Sequence, residues 1–204
     1  MKRVSALAVL EYSDIPAGVY AVDAILKKAP IAFVRAGTVT RGRYLVVFGG
    51  STASTRESFD EALAVTGGSI VDSAFLPDIH PSLAAAVFGG KRPARASMLI
   101  VETSSASSIV RAVEAALKGT GVDLAELRLS DSGLDGKGIA VLTGSLHDVE
   151  AAAGVAAAGT WDGAPPSGFA FRIIAAPHPA LESDIVAAQR FDAAQLVQLD
   201  GEIG

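Results

Sequence analysis

Residues 7–27 read LAVLEYSDIPAGVYAVDAILK, and residues 98–118 read MLIVETSSASSIVRAVEAALK. The two stretches align without a gap at a constant offset of 91 residues, so that Glu11 falls on Glu102 and Lys27 on Lys118. Later landmarks repeat in the same order: Gly42-Arg43 with Gly136-Lys137, Gly50-Ser51 with Gly144-Ser145, and His80-Pro81 with His178-Pro179. Self-similarity at such a period marks a tandem duplication of one small domain. The 204 residues then divide into two units, each of about 95 residues and large enough to own a core. The expected boundaries are 1–90 for the first unit, 91–96 for a linker, 97–190 for the second unit and 191–204 for a C-terminal tail. Beyond about Ala187 no cap or period stands out, and partial order is expected there.

In the first unit Ala6–Tyr12 reads as a strand. Ser13-Asp14-Ile15-Pro16 sets up a helix start, with a cap residue followed by Pro in the first turn, where its missing N–H costs nothing. Val19, Val22, Ile25 and Leu26 form an apolar stripe at helical spacing, and Ala29-Pro30 ends the helix. Ile31–Val39 and Arg43–Phe48 read as strands joined by a tight loop at Thr40-Arg41-Gly42. Ser54 with Glu57 matches the S-x-x-E capping box of a second helix, which runs to about Val65 and stops at Gly67-Gly68. Ser69–Leu76 is the fourth strand, and His80-Pro81 leads into a short helix, Ser82–Phe88.

The order β-α-β-β-α-β with a terminal helix is the ferredoxin-like pattern, an α+β fold with helices over one sheet face. The second unit follows suit: strand Met98–Thr103, helix Ser107–Leu117, strands Leu124–Leu129 and Gly138–Thr143, a helix from Asp148, strand Phe169–Ala175 and a helix from Ala180. Two departures stand out. The loop between the middle strands is three residues longer, and Gly159–Gly168 is a Pro/Gly-rich loop with the only Trp.

Half the residues are apolar, 19% are charged, and the mean hydropathy of +0.41 is high for a soluble monomer, which points to burial between subunits. No apolar run approaches the roughly 18 residues needed to span a bilayer. The basic start, Met1-Lys2-Arg3, passes into a stretch with Glu11 and Asp14 and reads as a strand, not a signal peptide. The absence of Cys excludes disulfides, thiolate metal sites and cysteine nucleophiles, and fits a cytosolic setting. A net charge of −5 argues against nucleic acid as partner, and the basic stretch Lys91–Arg95 reads as a solvated linker. Gly49-Gly50-Ser51-Thr52 lacks the Lys of a P-loop, and no G-x-S-x-G surrounds a serine. His80 and His178 read as turn caps, His147 as a surface residue just ahead of a helix, and Ser104–Ser108 as helix caps. Glu11 and Glu102 read as one repeated structural contact. No catalytic residue, metal ligand or cofactor is assigned.

Three stretches of the first unit, LAVLEYSDIPAGVYAVDAILKKA, TVTRGRYLVVFGG and VDSAFLPDIHPSL, together resemble bacterial microcompartment shell proteins. The resemblance extends over both repeats and is to the tandem-domain class that forms trimers, with an unpermuted strand order. It implies that three chains close into a pseudohexameric disc and that discs tile edge to edge into a shell around encapsulated enzymes in the cytoplasm. It further implies that the loop between the second and third strands lines a central pore for small metabolites. The residues at those positions are Thr40, Arg41 and Gly42 in the first repeat and Asp131, Ser132, Gly133, Leu134, Asp135 and Gly136 in the second. A lysine near the end of the first helix contributes to tile edges in this family, and Lys27 and Lys118 hold that place. The implied partners are two further copies, other shell proteins at tile edges and encapsulated enzymes, with neither nucleic acid nor membrane. One branch of the family holds an iron–sulfur cluster at the pore through a cysteine; the matching residue here is Thr40. The family's arginine before the Pro-His turn is replaced by Asp78-Ile79 and Ala176-Pro177, so edge contacts are expected to be weaker or aimed at a particular neighbour.

Fusing two copies turns a sixfold axis into a threefold one, so the halves are free to diverge. Arg41 from one loop and Asp131 and Asp135 from the other are expected to make a ring of alternating charge, and the longer second loop is a candidate gate. The competing reading is an oligomeric ligand-binding regulatory module, because ferredoxin-like repeats serve many functions. That reading expects a closed pocket between chains.

Overall fold

All seven side chains of the strand Ala6–Tyr12 (β1) are buried, as expected of a strand covered on both faces. The computed structural model describes residues 4–90, 96–158 and 167–181. After β1 the first repeat continues with α1 (Ile15–Lys28), β2 (Phe33–Val39), β3 (Arg43–Gly50), α2 (Thr52–Thr66), β4 (Ile70–Pro77) and α3 (Pro81–Val87). The second gives β5 (Ser97–Thr103), α4 (Ala106–Gly119), β6 (Asp123–Leu129), β7 (Gly138–Gly144), α5 (Leu146–Ala158) and β8 (Ala170–Ile174). Two antiparallel sheets result, ordered β2-β3-β1-β4 and β6-β7-β5-β8. This is the expected α+β architecture, present twice.

On one face of the first sheet Ala8, Leu10, Tyr12, Val46 and Phe48 pack against Ala21 and Ile25 of α1 and Phe59 and Ala62 of α2. On the other face Leu7, Val9, Leu76, Ile79 and Leu83 share one cluster with Val110, Val113 and Leu117 of α4. The second repeat therefore docks through α4 onto the back of the first.

Local chemistry explains most element ends. Asp14 caps α1 by accepting from the Ala17 N–H (2.9 Å), ahead of Pro in the first turn. His80 Nδ1 accepts from Ser82 N–H and His178 Nδ1 from Ala180 N–H, each at 3.2 Å, so both histidines are the turn caps expected. Three expectations need correction. The cap of α2 is Ser51, which accepts from the Ser54 N–H at 3.2 Å; Ser54 lies within the first turn, because the helix starts directly after β3. Ser145 plays the same part for Asp148 N–H (3.2 Å), so α5 starts at Leu146 and the exposed His147 lies inside it.

The third correction concerns α1. Its buried stripe is Gly18, Ala21 and Ile25, while Val19 and Leu26 are 52% and 55% exposed. The helix approaches the sheet so closely that a Cβ on Gly18 would lie 2.4 Å from Tyr44 Cδ1. Small residues must face the sheet there, and the large ones turn outward. The linker residues 91–95, most of the Gly159–Gly168 loop, the continuation of the helix expected from Ala180, and the tail lie outside the described residues.

The close approach recurs in the second repeat with its partners exchanged. Ile109 holds the place of Gly18 and Gly138 the place of Tyr44, and a Cβ on Gly138 would lie 2.3 Å from Ile109 Cγ2. Gly138→Ala is expected to lower the unfolding free energy by roughly 1–3 kcal/mol in denaturant melts, the range for overpacking. Combining Gly18→Ile with Tyr44→Gly is expected to cost less than the two single changes summed, since the residues touch.

Candidate functional site

The two middle loops meet. The Val39–Arg43 pair closes a 3-10 turn, Thr40–Gly42, and the equivalent Ser130 donates its N–H to the Lys137 carbonyl (3.0 Å) across the longer loop. Thr40 Oγ1 donates to the Ser130 carbonyl (3.3 Å) and accepts from the Gly136 N–H (2.9 Å). Arg41 Nε lies 3.2 Å from Asp135 Oδ1, both side chains well exposed. Left-handed backbone at Arg41, Gly42, Gly133, Asp135 and Gly136 makes these sharp turns possible. Asp131 is tied to Arg128, at 2.5 Å from Nη2, and raises the Arg128 pKa through that hydrogen bond. Ser132 and Gly133 are exposed, whereas Leu134 is buried.

A second polar constellation, missed by sequence reasoning, lies between the repeats. Arg111 of α4 donates to Asp72 of β4 at 3.2 Å and to the Ser73 carbonyl. Asp72 also accepts from Ser105 Oγ and from Ser108 Oγ (2.8 Å). Glu11, fully buried in β1, accepts from the Ser107 N–H at 2.9 Å and lies 3.5 Å from Arg43. Glu114 accepts from the His80 N–H at 3.1 Å, and Lys118 reaches Glu114 (2.8 Å) and the Pro77 carbonyl (3.4 Å). Burial pushes the Glu11 carboxyl up to about 7, against the pull of the Ser107 N–H. Its repeat partner Glu102 pairs with Lys137 at 2.8 Å, so the shared contact is an ion pair with the basic residue at the start of the adjacent strand, Arg43 in β3 and Lys137 just ahead of β7.

No pattern in the sequence marks this region; in the structure it stands out as a difference in burial between equivalent helices. From Ala106 to Leu117 every residue of α4 except Arg111 is buried. In α1 the equivalent positions are open: Ile15, Val19, Tyr20 and Leu26 are all exposed, and Lys27 pairs with the exposed Asp23 at 2.6 Å. The receiving surface differs in the same way. Val9, Ile79 and Leu83 are buried under α4, while their counterparts Ile100, Pro177 and Leu181 are only half-buried.

An open groove of about 720 Å³ runs along β2, α3 and β6 and includes Arg35, Thr38, Val87 and Arg128. Among the described residues no group of three His, Asp or Glu side chains is placed to hold a metal ion. A thiolate-held cluster does not fit the loop: the chain has no Cys, and the Thr40 hydroxyl is committed to Ser130 and Gly136. No described helix is long and apolar enough to cross a membrane.

The sequence pattern of the BMC domain family matches residues 6–79 and again residues 97–164. The bacterial microcompartment shell protein PduT of Citrobacter freundii is 32% identical over 152 residues, 74% of this chain and 82% of its own length. A microcompartment protein from Desulfitobacterium hafniense superposes with a TM-score of 0.75 at 27% identity, over 87% of this chain and 98% of that one. A double-ringed trimeric shell protein of the RMM microcompartment shares the fold at 19% identity and a TM-score of 0.51, over 72% and 78% of the two chains.

Glu11 makes stability depend on pH. Its folded pKa of about 7 lies above the ordinary 4.5, so its stabilising contribution is complete below the lower value and is lost as pH rises through the upper one. From about pH 5 to about pH 8 the unfolding free energy is expected to fall by on the order of 3 kcal/mol through this group. Denaturant melts across that range test it, and Glu11→Gln should flatten the slope.

Proposed function

The chain belongs to the BMC domain family of bacterial microcompartment shell proteins, and we propose that three copies close into a pseudohexameric tile with a central pore. One observation carries this: α4 is covered on both sides within the chain, and the equivalent α1 is covered on one side only. The step from first to second repeat is a head-to-tail contact. Applied again, it seats α1 of the next copy against β8 and β5, and a head-to-tail contact whose rotation divides a full turn without rise closes into a ring. The apolar residues left open on α1 become the core of the new contact, as Val110 and Leu117 are within the chain.

The same rotation gathers the middle loops around the axis. Arg41, Gly42, Ser132, Gly133 and Asp135 then face the opening, with Thr40 and Gly136 bracing the two loops together. Leu134 and Asp131 serve the loop itself, one by burial and the other through Arg128. Each Arg41 is neutralised by an Asp135, so the rim alternates in charge and favours neither sign strongly. Lys27 and Lys118 lie at the outer ends of successive contacts, where tile edges meet. The role is structural and not enzymatic: a wall tile in a shell in the cytoplasm, with other shell proteins at its edges and enzymes behind it, passing small metabolites.

Sedimentation velocity is expected to give a trimer, and negative-stain microscopy hexagon-like discs that grow into sheets. Val19→Asp and Leu26→Asp should each abolish the trimer while leaving the circular dichroism of the single chain unchanged, because both side chains are exposed there. Lys27→Asp should reduce sheet growth with the trimer intact; sheets of unchanged extent would remove its edge role.

A further inference from the structure

We propose that the two kinds of contact around the tile are built on one guanidinium delivered from opposite sides. Within a chain it comes from the docking helix, as Arg111. Between chains it comes from the receiving strand, as Arg172, and Tyr20 of the next copy lays its ring against it. This rests on the trimer reading above and names the residues that make its chain-to-chain contact selective.

The register of the strands fixes the correspondence. Glu11 pairs with Asp72 and Glu102 with Ala170, so Asp72 corresponds to Ala170 and Ser73 to Phe171. On the helices Arg111 corresponds to Tyr20. Arg111 serves two acceptors, the Asp72 carboxylate and the Ser73 carbonyl. In the second repeat the first acceptor is gone, because Ala170 carries no charge. The second is already served, since Arg172 Nη1 donates to the Phe171 carbonyl at 2.7 Å. A helix arriving there needs no donor and meets a cation at the strand edge. Tyr20, 59% exposed in the single chain, offers an aromatic face at that place.

A second pair of changes matches in the same way. Glu11 takes the Ser107 N–H, whereas Glu102 takes Lys137, and the residue at the place of Ser107 is Pro16, which has no N–H to give. One polar contact would keep its chemistry: Asp23 corresponds to Glu114, which takes the His80 N–H, and would face the His178 N–H of the neighbouring copy. Mispairing is therefore rejected from both sides. α1 on the first repeat would bury Asp72 without its α4 donors and leave Glu11 only Arg43, and α4 on the second would bring Arg111 against Arg172. First and second repeats must alternate around the ring.

The test is trimer dissociation of the full chain by sedimentation. Tyr20→Phe should match the wild type, because it keeps the ring. Tyr20→Arg should weaken association about 100-fold or more, the scale for a desolvated like-charge contact, with the single chain still folded by circular dichroism. Adding Ala170→Asp to Tyr20→Arg should restore most of the loss, because it rebuilds the pair found within the chain; Ala170→Asp alone should not strengthen the trimer. A Tyr20→Arg trimer as tight as wild type, or no recovery on adding Ala170→Asp, overturns the proposal while leaving the tile intact. A wild-type chain that sediments singly overturns the tile reading itself, and this inference with it.

Discussion

The docking of α4 between two sheets is the constraint on which the molecule depends. α4 is buried at every residue from Ala106 to Leu117 except Arg111, with its own sheet on one side and the back of the first repeat on the other. The polar groups drawn into that contact are satisfied almost completely. Asp72 takes three side-chain donors, Glu11 a backbone N–H and a guanidinium, and Glu114 the His80 N–H. Removing one partner would strand a buried charge, which costs more than the pair contributes. Such a contact fixes the angle between repeats rather than merely joining them.

In the proposed tile that angle matters because it is used again. A single-domain ancestor would meet identical neighbours on both sides, and each contact residue would have to serve both its own copy and the next. Duplication splits these duties. The close approach of helix to strand is met by Gly18 under Tyr44 in one repeat and by Gly138 under Ile109 in the other, two solutions to one spacing. The contact within the chain could become highly polar, because its two halves are always at hand. The equivalent face of α1 stayed largely apolar, with Ile15, Val19, Tyr20 and Leu26 exposed, and the contact proposed for it has its guanidinium on the strand, at Arg172.

The loops show the same division. Three residues in the first repeat and six in the second are braced by one hydroxyl, Thr40, which both gives and takes a hydrogen bond across the gap. Arg41 and Asp135 face each other only because the loops come from different repeats. Identical loops would have brought like charges together.

The sequence alone determined that two copies of one α+β domain follow each other, because periods of apolar residues and punctuation by Gly, Pro and cap residues are local properties that survive duplication. It also located the loops and the turn histidines. It misplaced the α2 cap, since Ser51 and Ser54 are both chemically able and only the end of β3 selects between them. It misread α1, since Val19 and Leu26 look like core by spacing and are turned away by the tight fit at Gly18. Which apolar face is buried inside the chain and which is left open was decided by tertiary structure alone. The physical reason is that burial belongs to a pair of surfaces, and the second surface lies far along the chain, 39 residues between Asp72 and Arg111 and 96 between Glu11 and Ser107.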